Sequence, residues 1–177
     1  MIQNKILFIG PMGAGKTTAI KTLSDELSIS TEAENSNREL FDKQKTTVAM
    51  DYGAIQLDDI QRIHLYGIPG QKHFAPMWPT VATGAIGAVL LINAEHPDWK
   101  EDIVFFLNAF DDLAKTNSIL IAGNRITSAQ LADLERLVSE KGYCLPILNA
   151  DPRQHEELIL MLSILIANLE AELIINE

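Results

Sequence analysis

A short glycine-rich segment near the amino terminus constrains the fold more than any other part of the chain. Residues 10–17 have the sequence GPMGAGKT and match the pattern G-x-x-x-x-G-K-[ST] in full. An apolar run at residues 5–9 precedes the segment, and a helical pattern at residues 15–28 continues from it. A glycine-rich loop between a strand and a helix predicts a phosphate site, because its backbone N–H groups approach the anion at a helix N-terminus.

The residue types in this loop suit a nucleoside triphosphate bound with Mg²⁺. We expect the ammonium of Lys16 to contact the β- and γ-phosphates, and the hydroxyl of Thr17 to ligate Mg²⁺. The other loop residues that we expect at the phosphates are Gly10, Met12, Gly13, Ala14, Gly15 and Thr18. The alternative is a glycine-rich turn without a ligand, and the full match between a strand and a helix disfavours it.

The charge balance narrows the classes of partner. The chain has 177 residues, 14 basic and 24 acidic, and a net charge of −10. Such a balance argues against a nucleic-acid partner and against docking on an anionic membrane, since both require lysine and arginine. It does not exclude a small phosphorylated ligand, because backbone amides bind phosphate without net positive charge on the protein.

The length and the hydropathy pattern predict one domain over residues 1–177. No secretory signal, membrane-spanning apolar stretch or lipid-anchor motif is visible in the sequence, so we expect a cytoplasmic protein without a lipid anchor. The sequence does not indicate an oligomeric state.

Alternating apolar runs and helical patterns predict an α/β fold with three layers, α/β/α. Further apolar runs, typical of buried parallel strands, are at residues 85–93, 118–123 and 143–148. Helical patterns separate or follow them at 98–114, 128–141 and 152–175. Residues 47–57 and 61–66 predict an antiparallel pair. We therefore expect a mostly parallel six-stranded sheet with one antiparallel strand.

Two segments after the phosphate loop add a resemblance to a known family. Residues 46–53 have the sequence TTVAMDYG, and residues 66–71 have the sequence YGIPGQ, followed by Phe74, Met77 and Trp78. With the phosphate loop, they resemble the Ras-like small GTPases among the P-loop NTPases, especially the Arf-like branch and a related bacterial group. The resemblance covers nearly the whole chain and is strongest before residue 95. It implies a GTP-binding switch that slowly hydrolyses GTP to GDP with Mg²⁺.

The resemblance also implies roles for particular residues. Thr47 resembles the threonine that reaches Mg²⁺ and the γ-phosphate, and Gly70 resembles the glycine whose N–H contacts the γ-phosphate. Gln71 resembles the glutamine that orients the attacking water. Residues 29–46 and 67–84, which lack a regular pattern, then correspond to the two switch segments, called switch I and switch II below.

The chain departs from the family pattern at the metal and in the phosphate loop. Gly67 stands where an aspartate is usual, so a carboxylate near Mg²⁺ is missing from its usual place. Asp51, on the adjacent strand, is the candidate to replace it as a metal residue, and the alternative is an exposed aspartate of an edge strand. Met12 stands where the Ras-like proteins usually have glycine, and its bulk is expected to slow hydrolysis.

A further departure concerns the nucleotide base. The family pattern Asn-Lys-x-Asp corresponds here to Asn124, Arg125, Ile126 and Thr127. Asn124 is expected to bond to the base and the stem of Arg125 to cover its face, but Thr127 cannot supply the carboxylate that selects guanine. Thr127 is also a candidate N-cap for the following helix. Asp151 lies in the second loop expected at the base, and the choice between guanine and adenine stays open.

The resemblance implies a protein partner, and three functions remain open. The related bacterial proteins act in signalling, polarity or motility with roadblock-type regulatory partners. No arginine adjoins Thr47. Arg38 in switch I is the candidate for an arginine that acts in cis, and the alternative is a solvated side chain. We therefore expect slow turnover that needs an arginine in trans. The alternatives are a nucleotide-binding scaffold without hydrolysis, which Gly67 and Thr127 favour, and an adenine-nucleotide ATPase or kinase. Phe74, Met77 and Trp78 form either an effector surface or core packing.

Overall fold

The structure is a computed structural model and describes residues 2–24, 31–32, 49–57 and 61–175. The strands are β1 (Ile2–Ile9), β2 (Thr31–Glu32), β3 (Ala49–Gln56), β4 (Gln61–Gly67), β5 (Ala85–Asn93), β6 (Ile119–Asn124) and β7 (Ile147–Asn149). The α-helices are α1 (Lys16–Leu23), α2 (Trp78–Ala82), α3 (Trp99–Ala109), α4 (Asp111–Lys115), α5 (Ser128–Glu140) and α6 (His155–Ile175). A 3-10 helix, Lys72–Met77, leads into α2. Within the described residues, no helix combines the length and apolar character required for a membrane span.

The strands form one sheet in the order β2-β3-β4-β1-β5-β6-β7. Strands β4, β1, β5, β6 and β7 run parallel, and β3 is antiparallel to β4. This confirms the predicted α/β class and the six-stranded, mostly parallel sheet. The two-residue strand β2 adds an antiparallel seventh strand at the edge of β3. Without β2, strand β3 would be the edge of the sheet, and its unpaired backbone groups are available for pairing with a short segment such as β2.

Both faces of the sheet are covered, which explains the continuous apolar runs in the central strands. In β5, all side chains from Ala88 to Ile92 are fully buried. One face packs on α1 and α6, and its core includes Phe8, Ile20, Leu91, Leu158, Met161 and Leu165. The other face packs on α3 and α5, and its core includes Ile9, Trp78, Leu90, Phe106, Leu134 and Val138. The molecule therefore has the three layers that the sequence predicts.

Two helical regions differ from the sequence prediction. The region 67–84 contains the 3-10 helix and α2, with Pro79 in the first turn, where the fixed φ of proline favours a helix start. The helical pattern at 98–114 divides into α3 and α4 at Phe110, whose dihedrals leave the helical region (φ −118°, ψ 38°). Phe110 is buried, and its ring stacks on Trp78 at 5.6 Å, so core packing accompanies the break.

The sheet topology places the loops of the site at one edge. After β1 the chain forms β2, β3 and β4 on one side of β1, and it then crosses to β5 on the other side. The strand order therefore reverses at β1, and ligands of open α/β sheets bind outside the carboxyl ends of the strands at such a point. Residues 10–15 lie there, between the end of β1 and the start of α1.

Candidate functional site

The loop between β1 and α1 has the backbone that a phosphate cradle requires. Gly10, Gly13 and Gly15 have φ values of 132°, 81° and 105°, which side chains rarely adopt. A Cβ at Gly10 would lie 2.1 Å from the carbonyl oxygen of Leu91, so the loop also passes too close to β5 for a side chain. The loop ends at the amino terminus of α1, where free N–H groups and the helix dipole favour an anion.

Lys16 crosses the loop that precedes it. Its Nζ donates hydrogen bonds to the carbonyl oxygens of Gly10 at 2.8 Å and Pro11 at 2.7 Å. Desolvation lowers the pKa of Lys16 to about 8, and the carboxylate of Asp51 partly opposes this effect. The side chain therefore holds a buried ammonium next to the loop, and added negative charge at this place would stabilise its protonated form.

One cavity joins the loop to residues from β3 and from the segment after β4. Its volume is about 350 Å³. Its lining consists of Met12, Gly13, Gly15, Lys16, Thr17, Thr18, Asp51, Gly67, Ile68, Pro69, Gly70 and Gln71. Most of the residues that we expect at the phosphates and at the metal are therefore brought together around a single space.

Asp51 and Thr17 are in direct contact in this cavity. The Thr17 hydroxyl donates a hydrogen bond of 2.5 Å to Oδ2 of Asp51. In the antiparallel pair of β3 and β4, Asp51 is the partner of Gly67. A Cβ at Gly67 would lie 3.0 Å from the Cβ of Asp51 and 3.1 Å from Oδ2, so a side chain at residue 67 would crowd the carboxylate. The carboxylate from β3 thus occupies the space beside Gly67.

The oxygen atoms of Thr17 and Asp51 fit Mg²⁺. Mg²⁺ is a hard cation that proteins commonly bind through one or two carboxylates, waters and the phosphates of a substrate. A hydroxyl and a carboxylate at 2.5 Å, facing the phosphate loop, provide that kind of donor set. The described part of the chain has no cluster of three or more histidine, cysteine, aspartate or glutamate side chains. The Thr17 hydroxyl and the Asp51 carboxylate are two donors, and a Mg²⁺ ion bound there would take its other ligands from water and phosphate.

Gly70 and Gln71 lie against the phosphate loop. A Cβ at Gly70 would lie 2.3 Å from the carbonyl oxygen of Gly10 and 2.7 Å from the backbone nitrogen of Met12. Only a glycine allows this backbone-to-backbone approach. The amide of Gln71 is exposed, and its Nε2 donates to Sδ of Met12 at 3.8 Å. Met12 itself is 74% exposed at the rim of the cavity.

One aromatic residue of switch II, Trp78, belongs to the core. Trp78 is 1% exposed and stacks on Phe106 at 5.0 Å between ring centroids. Its indole N–H donates to the carbonyl oxygen of Pro69 at 3.2 Å, so it also fixes the backbone that precedes Gly70. Of the two alternatives for the aromatic group, packing therefore describes Trp78, whereas Phe74 and Met77 are half-buried.

The loops expected at the base reach the other end of the phosphate loop. A Cβ at Gly15 would lie 2.7 Å from Cγ of Pro152 and 3.8 Å from Nδ2 of Asn124. Arg125 follows with a positive φ of 54°, and its guanidinium donates to Glu95 at 2.7 Å. Asn124 is thus placed beside the start of α1, and the guanidinium of Arg125 is directed to Glu95. Their contacts with the base stay predictions.

Thr127 and Asp151 are both engaged within the protein. The hydroxyl of Thr127 caps α5 by accepting from the backbone N–H of Gln130 at 3.3 Å, and the Gln130 side chain completes a capping box. The carboxylate of Asp151 accepts the backbone N–H and the guanidinium of Arg153, which lowers its pKa to about 2. The Asp151 backbone N–H donates to Glu157.

Sequence reasoning placed Asp51 but missed the side chains that bind other site residues. These side chains are Glu95, which binds Arg125, and Arg153 and Glu157, which bind Asp151. The contacts depend on how the loops fold, and no sequence pattern indicates them. The Thr-x-x-Gln pattern, by contrast, does indicate the cap at Thr127. Thr47 and Arg38 lie outside the described residues. Their expected roles stay predictions.

Comparisons with known proteins give distant relatives. No protein-family model matches the chain. An uncharacterized protein of Methanocaldococcus jannaschii is 31% identical over 98 residues, which are 55% of this chain and 56% of that protein. The human intraflagellar transport protein 22 homolog is 23% identical over 128 residues, 71% of this chain and 67% of its own length. ADP-ribosylation factor-like protein 3 of Saccharomyces cerevisiae is 27% identical over 92 residues, 52% of this chain and 43% of its own length.

These similarities agree with the fold. The match covers little more than half the length of the archaeal relative, at 56%. The distant similarity to the Arf-like protein and to the intraflagellar transport protein suggests a Ras/Arf-type fold.

Proposed function

We propose that the protein is a molecular switch that binds GTP with Mg²⁺ and slowly hydrolyses it to GDP. The observation that carries the proposal is the shared cavity of about 350 Å³, which Lys16, Asp51 and Gln71 all line. A loop that binds phosphate, a donor set that suits Mg²⁺ and a glutamine next to the loop are the parts that phosphoryl transfer from GTP to water needs. The Ras/Arf-type fold supports the same conclusion.

The proposed chemistry is in-line attack of water on the γ-phosphorus. The amide of Gln71 orients this water, with its carbonyl accepting a proton of the water and its N–H₂ directed at the phosphate. The ammonium of Lys16 and the loop N–H groups stabilise the charge on the transferred group, and the Gly70 N–H contacts it. Lys16 must exchange its bonds to the Gly10 and Pro11 carbonyls, at 2.8 and 2.7 Å, for bonds to phosphate.

Mg²⁺ would be held by the Thr17 hydroxyl and the Asp51 carboxylate, together with phosphate oxygens and, by resemblance, Thr47. When bound, the ion neutralises charge on the β- and γ-phosphates. Asp51 supports this assignment because its Oδ2 already accepts the Thr17 hydroxyl at 2.5 Å and because its charge favours protonation of Lys16.

We further propose that a protein partner accelerates hydrolysis and uses the switch in a bacterial signalling, polarity or motility system. None of the arginines among the described residues lines the cavity, so an arginine supplied in trans would complete the stabilisation of charge. A partner of the roadblock type is the expectation from the family resemblance. With a net charge of −10, this protein would attract a partner that presents a basic surface.

A second candidate function is a nucleotide-binding scaffold that does not hydrolyse. The contact that favours it is the one between Gln71 and Met12, since at 3.8 Å it directs the glutamine amide to a thioether. Under this alternative the Met12 side chain keeps Gln71 from the attacking water. A wild-type protein that binds GTP and is as inert as Gln71→Leu supports the scaffold and contradicts the switch.

Competitive binding tests the first half of the proposal. The full chain, with Mg²⁺, is titrated with a fluorescent GDP analogue that GTP, GDP, ATP and ADP then displace. We expect displacement by the guanine nucleotides, and its loss in Lys16→Met. Stronger displacement by ATP and ADP contradicts the guanine assignment and favours the ATPase or kinase alternative. Absence of binding to the wild type contradicts the proposed function altogether.

A further inference from the structure

A buried carboxylate on α3 lies outside the chemistry proposed above. The side chain of Asp102 is 9% exposed, and each of its oxygens faces a different basic side chain. Oδ1 lies 3.9 Å from Nζ of Lys72, and Oδ2 lies 3.9 Å from Nδ1 of His96. Charged groups are seldom buried unless they are paired, because desolvation destabilises them. Asp102 therefore joins α3 to the start of the 3-10 helix and to the loop after β5.

Lys72 is the residue directly after Gln71. Its Nζ is also 4.9 Å from the centre of the Phe105 ring, so Lys72 contacts α3 through both the Asp102 carboxylate and this ring. Phe105 and Asp102 are three residues apart and lie on one face of the helix. The side chain of Lys72 thus leaves the backbone next to the glutamine and ends between a carboxylate and an aromatic ring.

The same helix holds the other end of the segment. Trp78 packs on Phe106 at 5.0 Å and against Phe105 at 5.8 Å, while its indole N–H bonds to the Pro69 carbonyl. Residues 69–78 are therefore fixed on α3 at two places, through Trp78 by apolar packing and through Lys72 by charge. Gln71 lies between Pro69, whose carbonyl Trp78 binds, and Lys72. Among the contacts described, its exposed amide makes only a long contact with Met12.

We propose that Asp102 is a positioning residue for hydrolysis, which acts by holding Lys72 and, through it, the backbone of Gln71. The inference rests on the proposed function of Gln71. The Asp102 side chain is 9% exposed and that of Lys72 is 64% exposed, so solvent screens the attraction mainly from the side of the ammonium. A displacement of about 1 Å at a group that orients a reactant is enough to slow a reaction strongly.

The test uses four variants of the full chain with GTP and Mg²⁺. Asp102→Asn and Lys72→Met each remove the charge and keep most of the volume, the double variant removes both charges, and Lys72→Arg keeps the cation. Lys100→Met is the matched control, because Lys100 is a lysine of the same helix that pairs with Asp133 on α5 at 2.9 Å. Single-turnover hydrolysis, GDP affinity and melting temperature are measured for each.

We expect each single charge removal to slow hydrolysis about tenfold with GDP affinity unchanged. The double variant is expected to be no slower than Asp102→Asn, because Asp102→Asn already removes the contact that Lys72→Met removes. Lys72→Arg is expected to retain hydrolysis, as is Lys100→Met. Additive effects, an unchanged rate in Asp102→Asn, or a loss of GDP affinity that parallels the loss of rate would overturn the positioning role.

A second measurement separates this inference from the proposed function. If the wild type binds GDP but does not hydrolyse GTP, the role of Gln71 fails and the contact between Asp102 and Lys72 is tested alone by hydrogen exchange with GDP bound. Asp102→Asn and Lys72→Met are expected to speed exchange in residues 69–78 by about threefold or more, with β5 unchanged. Equal exchange in that segment would show that Asp102 does not hold it.

Discussion

The hydroxyl of Thr17 donates a 2.5 Å hydrogen bond to Oδ2 of Asp51, which joins the start of α1 to β3. The position opposite Asp51 on β4 is Gly67, and a Cβ there would lie 3.1 Å from the same oxygen. The two strands therefore offer space for one carboxylate beside the phosphate loop, and β3 supplies it. The family pattern expects this carboxylate on β4, so the pattern alone would miss the carboxylate that β3 places beside the loop.

Removal of the Asp51 carboxylate tests its role at the metal. Asp51→Asn is expected to weaken the Mg²⁺-dependent affinity for GDP about tenfold or more, because a neutral amide is a poorer ligand for a hard cation. Titration of GDP at several Mg²⁺ concentrations measures the effect. Asp112→Asn, an exposed substitution on α4, serves as the control and is expected to leave the affinity unchanged.

Exchange of the residues at positions 51 and 67 tests more sharply which strand can supply the carboxylate. Gly67→Asp alone is expected to weaken Mg²⁺ binding and stability, because its side chain crowds Asp51 and its Cβ would lie 2.9 Å from Cδ1 of Ile20. The double variant Asp51→Gly, Gly67→Asp removes the crowding at Asp51 and is expected to recover part of the affinity for Mg²⁺ and GDP. Recovery that is no better than in Asp51→Gly alone would refute the idea that either strand can supply the carboxylate.

Most of the fold was predictable, and the reason lies in the central strands. A run such as residues 85–93 is apolar on both faces, so its pattern identifies a strand covered by two helical layers. The 3-10 helix and α2 were not predicted, because glycine, proline and aromatic residues in 67–84 obscure the helical period. Trp78 stabilises that region through Phe106 and Phe110, which are distant in sequence.

Nucleotide affinity is expected to decrease as the pH rises through about 8. Burial lowers the pKa of Lys16 to about 8 in the free protein, so its ammonium is present below that pH and is lost above it. Bound phosphate requires the ammonium, and binding at higher pH must therefore take up a proton. The affinity for GDP is expected to fall about tenfold between pH 7 and pH 9.

Calorimetry in buffers of different ionisation enthalpy checks the same point, since proton uptake on binding should be close to zero at pH 7 and should increase towards pH 9. An affinity that stays constant between pH 7 and pH 9, with no proton uptake, would be inconsistent with the role of Lys16. The guanine base itself begins to ionise close to pH 9, so the comparison stops there.

Met12 is expected to slow hydrolysis through its contact with Gln71. Met12→Ala removes the sulfur that the Gln71 amide reaches at 3.8 Å and frees the amide for water. Single-turnover hydrolysis is expected to become about threefold or more faster, with nucleotide affinity preserved. Met12→Leu keeps a similar volume without the sulfur and is also expected to be faster, whereas a Leu variant as slow as the wild type would show that bulk, and not the sulfur contact, is responsible.

Thr127 is expected to limit the preference for guanine. Thr127→Asp introduces a carboxylate for the N1–H and 2-amino groups, and aspartate is a good N-cap, so α5 is expected to remain capped. The wild type should bind GTP and inosine triphosphate, which lacks the 2-amino group, with similar affinity. Thr127→Asp should favour GTP by about tenfold or more.

Thr127→Asn is the matched control for this prediction, because it also caps a helix but carries no charge. Its GTP and inosine triphosphate affinities are expected to remain similar. A wild-type protein that already prefers GTP strongly would show that another group, with Asp151 as the first candidate, reads the base.

The candidate site was predictable in its motifs but not in its contacts. Residues 10–17 and Asp51 follow from pattern and spacing, because a strand, a loop and a helix determine where those residues lie. The bonds of Lys16 to Gly10 and Pro11, and the pairing of Asp151 with Arg153, depend on how the loops close. The position of Asp102 opposite Lys72 depends on the packing of α3 on a segment about thirty residues earlier.

The most direct test of the central claim is single-turnover release of phosphate from GTP bound to the full chain with Mg²⁺. The account predicts slow release of the γ-phosphate by the wild type and by Gln56→Leu, a control glutamine at the far end of β3, with release at least about tenfold slower in Gln71→Leu. All three should bind GTP equally well. Bound GTP that the wild type and Gln71→Leu leave intact to the same extent would contradict the account.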